Sequence, residues 1–298
     1  MESPELIVIV GPTAVGKTGL ALRLAERLNT EIVSADSRQV FRELQIGTAK
    51  PAPEELRRIN HHFISTRSVE EGYDAGTYGR DALLLLDQLF NRYRRVILCG
   101  GSGLYIKAVC EGMDDFPEIA PGIRGKIVAE YNEKGLAWLQ RQVEKLDPEY
   151  FSYVDRQNPH RLVRALELIE ATGKTVGSFR MNAKQVRPFR IRKIGLEVER
   201  DILYQRIDKR IEDMVAAGLF AEAEQLFPLR HLNALQTVGY REIFAYREGK
   251  YDRLEAIRLL KQNSRNYAKR QLTWFKKDEE VRWFHPGQAD AIDNFIGI

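Results

Sequence analysis

Short apolar runs alternate with amphipathic segments along the first third of the chain. The run 6–10 is apolar throughout and ends in glycine, which indicates a strand buried on both faces. The segment 17–28 repeats leucine at helical spacing, two more apolar runs cover 31–35 and 94–99, and 81–90 is helical in period. Alternating strands and helices predict an α/β fold, a parallel sheet flanked by helices that binds ligands at the carboxyl ends of its strands.

The pattern changes after residue 113. Three segments with helical period follow without an intervening strand, at 123–134, 136–146 and 159–171. Further on we predict strands at 189–198 and 281–284 and helices at 201–217, 220–227, 237–246 and 253–275. The sequence therefore predicts a core formed by 1–113 and 187–298, interrupted by an all-helical insertion at 114–186.

A phosphate-binding motif connects the first strand to the first helix. Residues 11–18 match G-x-x-x-x-G-K-[ST], and strand and helix flank them as this motif requires. The backbone amides of such a loop point at a bound anion, Lys17 neutralises its oxygens, and the Thr18 hydroxyl can hold Mg²⁺. We therefore predict a P-loop that consists of Gly11, Pro12, Thr13, Ala14, Val15, Gly16, Lys17 and Thr18.

The acidic residue that usually accompanies a P-loop is missing from its expected place. A nucleotide hydrolase has an aspartate at the end of an apolar strand to help hold Mg²⁺. The strand predicted at 94–99 ends in glycine, and Asp36 is the carboxylate found at a strand end. Asp36 can serve as a cap for the turn that follows it, or as a base or metal-shell ligand beside the phosphate loop.

Basic residues concentrate in two parts of the chain. Asn158 and Pro159 form a helix start, and Gln157, His160 and Arg161 lie in the same turn. The C-terminal helices carry many arginines and lysines interleaved with tyrosines and a tryptophan. Such faces are usually only solvated, but arginine with aromatic residues is also suited to binding RNA phosphates and stacking an unpaired base.

The overall composition is that of an ordinary soluble globular protein. Of the 298 residues, 44% are hydrophobic and 30% charged, and the net charge is +4. Two cysteines, Cys99 and Cys110, are too few for a disulfide framework. The sequence has neither the basic leader of a signal peptide nor an apolar stretch of about 20 residues. We expect a cytoplasmic protein with no membrane segment, and a monomer by default.

Taken together, these motifs resemble the bacterial tRNA dimethylallyltransferases, which prenylate the adenosine immediately 3′ of the anticodon. Besides the P-loop in its Gly-Pro-Thr-Ala form, the resemblance covers nearly the whole chain. Its matching blocks are DSRQVF from residue 36, IGTAKP from 46, GGSGLY from 100, NPHR from 158, VGYRE from 238 and KRQLTWF from 269.

The resemblance implies a role for each matching position. The P-loop would bind the pyrophosphate of dimethylallyl diphosphate together with Mg²⁺, Thr13 would line the same site, and Arg210 would be a second cationic contact. Asp36 would accept the proton of the adenine amine or orient that amine. The tRNA anticodon stem-loop would be contacted by Asp36, Ser37, Arg38, Gln39, Ser102, Gln157, Asn158, Pro159, His160, Arg161, Arg270, Gln271 and Trp274.

The activity implied is transfer of a dimethylallyl group to the exocyclic amine of adenosine 37 in tRNAs that read codons starting with U. Two alternatives share the P-loop. A small-molecule or nucleotide kinase would bind and turn over ATP, and a non-catalytic RNA-binding NTPase switch would retain its function without Asp36.

Overall fold

The computed structural model describes residues 3–114, 117, 119–179 and 184–298, which fall into two units. The first unit comprises Met1–Gly112 and Val186–Ile298, and the second comprises Met113–Gln185. The insertion predicted at 114–186 includes residues 115, 116, 118 and 180–183, which lie outside the described part of the chain. Its predicted contact with tRNA stays a prediction.

The first unit contains a six-stranded sheet with all neighbouring strands parallel. The strands are β1 Glu5–Val10, β2 Ile32–Ser34, β3 His61–His62, β4 Arg95–Cys99, β5 Arg190–Leu196 and β6 Val281–Phe284. Their order across the sheet is β3-β2-β4-β1-β5-β6. The α/β fold with a parallel sheet is therefore confirmed.

The described residues form thirteen α-helices. They are α1 Lys17–Leu28, α2 Pro53–Arg58, α3 Ala75–Phe90, α4 Gly103–Cys110, α5 Pro121–Lys134, α6 Leu136–Leu146, α7 Pro148–Tyr153, α8 Pro159–Thr172, α9 Arg200–Ala216, α10 Leu219–Leu226, α11 Tyr240–Arg247, α12 Arg253–Phe275 and α13 Ala289–Ile296. Helices α5–α8 belong to the second unit and the others to the first. None of these described helices combines the length and the apolar character needed to cross a bilayer.

Strand β1 lies inside the sheet and is buried on both faces, as its unbroken apolar run predicts. Ile7 and Ile9 join the core cluster formed with α1 and α9–α13, whereas Leu6, Val8 and Val10 join the cluster formed with α3 and α4. Alternate side chains of a strand point to opposite faces, so each face packs on its own helical layer. The P-loop thus begins at one of the most deeply buried segments of the unit.

The second unit has a hydrophobic core of its own. Leu139 and Val143 of α6 pack with Leu162 and Leu166 of α8. The buried Asp147 accepts hydrogen bonds from two backbone amides, Tyr150 N at 3.0 Å and Val176 N at 2.8 Å. The predicted helix start at Asn158 is confirmed, because Asn158 Oδ1 accepts from Arg161 N at 3.3 Å and proline follows it.

The bounds predicted for α1, α6 and α12 agree with the structure, but two helix starts are wrong. The helix predicted at 81–90 already begins at Ala75, where Asp74 caps it by accepting from Thr77 N. The helix predicted at 237–246 begins only at Tyr240, because Gly239 has a φ of 108°, which lies outside helical geometry. The short helices α2, α4, α7 and α13 were not predicted, since segments of six to eight residues show too few turns for a clear period.

Candidate active site

A cavity of about 360 Å³ opens at the carboxyl ends of the strands in the first unit. Its walls are the P-loop, the residues after β2 and β4, the loop 47–51, and one face each of α9 and α12. This is the edge at which a parallel α/β sheet binds its ligands.

The P-loop has the backbone geometry of an anion cradle. Gly16 adopts a φ of 108° immediately before α1 begins at Lys17, a conformation that favours glycine and leaves the first amides of the helix free of intrahelical partners. Lys17 Nζ donates to the carbonyl oxygens of Gly11 at 2.9 Å and Pro12 at 2.7 Å, so its ammonium group lies against the loop. Thr13, Ala14, Lys17 and Thr18 face the cavity.

The environment of Lys17 lowers the pKa of its ammonium group to about 8. Desolvation in the cavity is the main cause, and the positive charge of Arg210 adds to it, while Cys99 and Asp36 act in the opposite direction. Burial raises the pKa of the neighbouring Cys99 thiol to about 11. A bound anion would restore the favourable interaction that the buried ammonium group lacks.

The buried side chain of Gln271, from α12, fixes the P-loop to the end of β4. Its Oε1 accepts from Thr13 N at 2.8 Å and its Nε2 donates to Gly101 O at 2.9 Å. A β-carbon on residue 101 would overlap the Gln271 amide, so a side chain there would displace Gln271 from these two hydrogen bonds. The structure therefore gives Gln271, a predicted tRNA contact, a second role in holding the phosphate loop.

Asp36 follows β2 and both caps a turn and lines the cavity. Its Oδ1 accepts from Arg38 N at 2.9 Å and from Gln39 N at 3.3 Å, which is the capping role. Within the part of the chain that the structure describes, its Oδ2 accepts no hydrogen bond. The two roles considered for Asp36 are therefore compatible, because one oxygen fixes the turn and the other is left for a ligand.

The cavity carries more positive than negative charge. Among the described residues that line it, Lys17, Arg38 and Arg210 are cationic and Asp36 is the one carboxylate. Burial lowers the pKa of both guanidinium groups, although each stays ionised as arginine does in proteins. Such an arrangement favours a ligand with at least two negative charges at this end of the cavity.

Helices α9 and α12 each line the cavity with one face. Of the residues on these two faces, the sequence predicts only Arg210 and Gln271 as site residues. Helix α9 presents Ile207, Arg210, Ile211 and Met214, and α12 presents Leu260, Ser264, Tyr267 and Gln271. Residues three and four apart share a face of a helix, so Gln271 and Arg210 could have pointed to their neighbours. Burial raises the pKa of Tyr267 to about 12.

The loop 45–49 is held by Glu222 of α10, another residue that the sequence did not reveal. Glu222 Oε2 accepts from Ile46 N at 2.7 Å, and its Oε1 accepts from Gly47 N at 3.0 Å and from the Tyr240 hydroxyl at 2.5 Å. The carbonyl of Thr48 accepts from Gln39 Nε2 at 3.2 Å. This network positions one wall of the cavity beside Asp36.

Several predicted residues lie near the cavity without lining it. Ser102 Oγ accepts from Ser37 N at 2.9 Å, and Ser102 forms a hydrogen bond with Tyr267. The Trp274 indole packs against Gly103 and remains 42% exposed, and the exposed Arg270 lies over the Tyr267 ring at 5.8 Å. Within the first unit, the predicted residues outside the cavity lining are Gly11, Pro12, Val15, Ser37, Ser102, Arg270 and Trp274.

The predicted tRNA segment 157–161 belongs to the second unit, at the start of α8. Gln157, His160 and Arg161 are exposed, whereas Asn158 uses its side-chain oxygen for the cap. The Arg161 side chain, in the first turn after the Asn158 cap, is therefore accessible to a ligand.

The donor set of the cavity fits a magnesium ion that is shared with a phosphate ligand. No group of three or more metal-ligating side chains occurs among the described residues. Magnesium keeps several waters and commonly takes only one or two protein ligands beside substrate phosphates. The Thr18 hydroxyl, at the first turn of α1, suits this mode of binding.

Comparison with known proteins finds relatives over nearly the whole chain. The family model described as IPP transferase matches residues 39–278. The chain is 52% identical over 291 residues to a tRNA dimethylallyltransferase of Cytophaga hutchinsonii, covering 98% of this chain and 96% of the relative. It is 50% identical over 292 residues to tRNA dimethylallyltransferase 2 of Porphyromonas gingivalis, covering 97% of both.

Solved structures are similar over the same length. The full-length tRNA isopentenylpyrophosphate transferase of Bacillus halodurans aligns with a TM-score of 0.72 and 38% identity, covering 98% of this chain and 95% of that one. A eukaryotic dimethylallyltransferase acting on tRNA aligns with a TM-score of 0.78 at 23% identity, covering 98% of this chain and 76% of that one, which indicates a shared fold.

Proposed function

Because the chain belongs to the IPP transferase family and is a transferase, we propose that it moves a dimethylallyl group from dimethylallyl diphosphate to a tRNA. The acceptor is the exocyclic amine of adenosine 37, next to the anticodon, in tRNAs that read codons starting with U. The products are N6-(dimethylallyl)adenosine and diphosphate. We further propose that the protein acts as a monomer in the cytoplasm, where its tRNA substrate is found.

The observation that carries this proposal is the convergence of a phosphate loop, three cations and one carboxylate on a single cavity. The cations suit a diphosphate, and the carboxylate suits an amine. The kinase alternative lacks the support of the comparisons, and β4 ends in Cys99 followed by glycines rather than in a carboxylate.

The leaving group is stabilised where its negative charge develops. In the reaction the bond between carbon 1 of the donor and the diphosphate oxygen breaks, and its electron pair leaves with the diphosphate. The P-loop amides, Lys17 and Arg210 neutralise that charge, an electrostatic contribution that is preorganised in the folded protein. The Thr18 hydroxyl would hold a magnesium ion beside the diphosphate, and that ion would supply further Lewis-acid stabilisation of the leaving group.

The acceptor amine needs positioning and a proton acceptor. A new bond joins N6 of adenine to carbon 1, and the proton lost from N6 passes to Asp36 Oδ2. The amine lone pair is delocalised into the ring, so an aligned base contributes substantially, typically about a hundredfold to ten-thousandfold. The adenine must leave its stack to reach the cavity, as bases do in other enzymes that modify them.

The test is an incubation with dimethylallyl diphosphate labelled at carbon 1 and an unmodified anticodon stem-loop. We expect label in the RNA, and N6-(dimethylallyl)adenosine after digestion and mass spectrometry. A stem-loop with guanosine at position 37 is the matched RNA control. Asp36→Asn keeps an oxygen for the turn amides but removes the base, so we expect turnover to fall by about a hundredfold or more with RNA binding retained.

Three results would oppose the proposal. Stoichiometric ATP hydrolysis or phosphoryl transfer without incorporation of label would favour the kinase alternative. RNA binding without incorporation of label, unchanged in Asp36→Ala, would favour an RNA-binding switch. Full transferase activity of Asp36→Asn, or of Asp36→Ala, would remove the carboxylate from the mechanism.

A further inference from the structure

The two ends of the cavity differ in chemistry. The P-loop, Asp36 and Arg38 form a charged end, whereas Ile207, Ile211, Met214, Leu219 and Leu260 form an apolar end. The transferase reaction uses the charged end, as proposed above. The apolar side chains have no part in that chemistry, and their function is open.

Helices α9 and α12 extend from the charged end of the cavity to its apolar end, so they define the long axis of the cavity. These helices are antiparallel neighbours, joined by the Arg265–Asp208 pair at 2.8 Å and the Lys261–Glu212 pair at 2.6 Å. Gln271 lies beside the P-loop, and Leu260 lies about 16 Å further along the axis of α12 at a rise of 1.5 Å a residue.

Helix α9 shows the same gradient from polar to apolar. Arg206 donates to the P-loop carbonyl of Val15 at 3.4 Å, Arg210 comes one turn later, and Met214 one turn after that. Arg210 therefore lies between the phosphate loop and the apolar end. A ligand anchored on the P-loop extends past Arg210 toward Met214 and Leu260.

The apolar end is closed by the core of the first unit. Leu219 and Leu260 are 0% and 1% exposed and belong to the same core cluster as Ile211 and Ile243. Close-packed cores hold few voids, so the cavity cannot lengthen here without a change of side chain. Met214 is only partly buried and packs against that cluster.

We propose that this apolar end holds the hydrocarbon tail of the prenyl donor, and that Met214 and Leu260 limit the tail to a single isoprene unit. This inference rests on the proposed function. The adenine is the less suitable occupant, because its ring nitrogens would be buried there mainly against the apolar side chains of α9, α10 and α12, whereas a branched hydrocarbon gains from burial.

The length of the cavity agrees with a five-carbon tail. At bond lengths of about 1.5 Å, a diphosphate joined to a dimethylallyl group spans about 10 Å. With van der Waals contact of about 4 Å added at each end, this length is close to the distance of about 16 Å along α12 between the P-loop end of the cavity and Leu260. A second isoprene unit would overlap Met214 or Leu260.

The experiment compares dimethylallyl with geranyl diphosphate, using one stem-loop, in the unmodified protein, Met214→Ala and Leu260→Ala. One methylene in an apolar pocket changes kcat/KM by about 10- to 200-fold. We therefore expect the ratio of geranyl to dimethylallyl kcat/KM to rise at least about tenfold in either variant. Leu254→Ala is the matched control, since Leu254 is on the same helix and 77% exposed.

Replacing Met214 by a larger residue tests the same assignment by shortening the apolar end of the cavity instead of lengthening it. We expect Met214→Trp to raise the KM for dimethylallyl diphosphate while the inhibition constant of inorganic diphosphate, which has no tail, stays unchanged. Equal loss of both affinities would indicate a distorted site and overturn the assignment. Because Met214 is only partly buried, its variants remain informative even if Leu260→Ala does not fold.

The outcomes separate this inference from the proposed function. Transfer of the dimethylallyl group with no change of the geranyl ratio in either alanine variant would overturn the length limit alone. Failure to transfer either group would overturn the proposed function. In that case competition binding of the two diphosphates still tests the apolar end, and an unchanged preference in Met214→Ala would overturn it.

Discussion

At Lys17, protonation of one side-chain amine is coupled to the binding of a ligand in the cavity. The ammonium group has a pKa of about 8 in the free protein, below the 10.5 of an ordinary lysine. Removing a charged group from water disfavours its charged form, and a bound diphosphate reverses this by supplying the opposite charge. Binding of the donor should therefore take up protons above pH 8.

This coupling predicts a fall of donor affinity with pH. The terminal phosphate has a pKa of about 6 and is fully ionised above pH 7, so Lys17 dominates the change. Between pH 7 and pH 9 the association constant for dimethylallyl diphosphate should fall about tenfold, because the neutral amine must first be protonated. Calorimetry in buffers of different ionisation enthalpy measures both the affinity and the proton uptake.

Arginine at the same position is the control for this effect. Lys17→Arg keeps a charge that does not titrate below pH 9, so its affinity should be nearly independent of pH, whatever its absolute value. Asp36, Arg210 and Cys99 also influence Lys17. A flat profile in the unmodified protein would show that Lys17 is already charged there.

At the scale of secondary-structure elements, Glu222 joins α10, α11 and the loop 45–49 through one carboxylate. It accepts from the amides of Gln45, Ile46 and Gly47 and from the Tyr240 hydroxyl. The contact with Glu222 and the burial of Tyr240 keep the pKa of that hydroxyl well above its usual range, with burial as the larger cause. The loop therefore depends on a side chain far away in sequence.

Removing this carboxylate should loosen the cavity wall. We expect Glu222→Ala to lower the free energy of unfolding by about 2 kcal/mol, since it leaves several hydrogen-bond donors without their acceptor. We expect kcat/KM to fall by up to about a hundredfold, as a displacement of about 1 Å in a site can cause. Urea unfolding and steady-state kinetics measure these effects.

Glu224→Ala is the matched control, because Glu224 lies on the same helix and forms an exposed pair with Arg247. Affinity for inorganic diphosphate should stay unchanged in both variants, since the P-loop is held by Gln271 instead. Identical kinetics for Glu222→Ala and Glu224→Ala would contradict a positioning role for the network.

The elements differ in how far the sequence predicts them. The bounds of α12 were correct because its helical period extends over Arg253–Phe275, and those of α1 were correct because its leucines repeat at helical spacing. Glu222 was missed because its partner Gly47 lies 175 positions away, and no local pattern records such a contact. The face Leu260, Ser264 and Tyr267 was predictable from Gln271 by helical spacing alone.

At the scale of the whole molecule, the chain has two units with separate hydrophobic cores. Each can therefore tolerate surface changes without altering the other's packing. Donor chemistry is predicted for the first unit alone, whereas RNA contact is predicted both for residues of the first unit and for the segment 157–161 of the second.

Because Arg161 lies in the second unit, we predict that Arg161→Glu weakens binding of the RNA and leaves binding of the donor unchanged. Loss of one charge-assisted contact of about 1.4 kcal/mol should raise the KM for the stem-loop about tenfold, with a larger effect at low salt. The KM for dimethylallyl diphosphate should not change. Lys134→Glu, on α5 of the same unit, is the charge-matched control, and equal effects of the two variants would mean that only net charge matters.

The bond between Gln271 and Thr13 also affects the order in which the protein is made. The two residues are 258 positions apart, so the phosphate loop leaves the ribosome long before the glutamine that holds it. At synthesis rates of about 5 to 20 residues per second, this delay is about 13 to 52 seconds. During translation the nascent chain therefore exposes a P-loop that lacks its anchor, and the enzyme becomes competent only when α12 has emerged and docked.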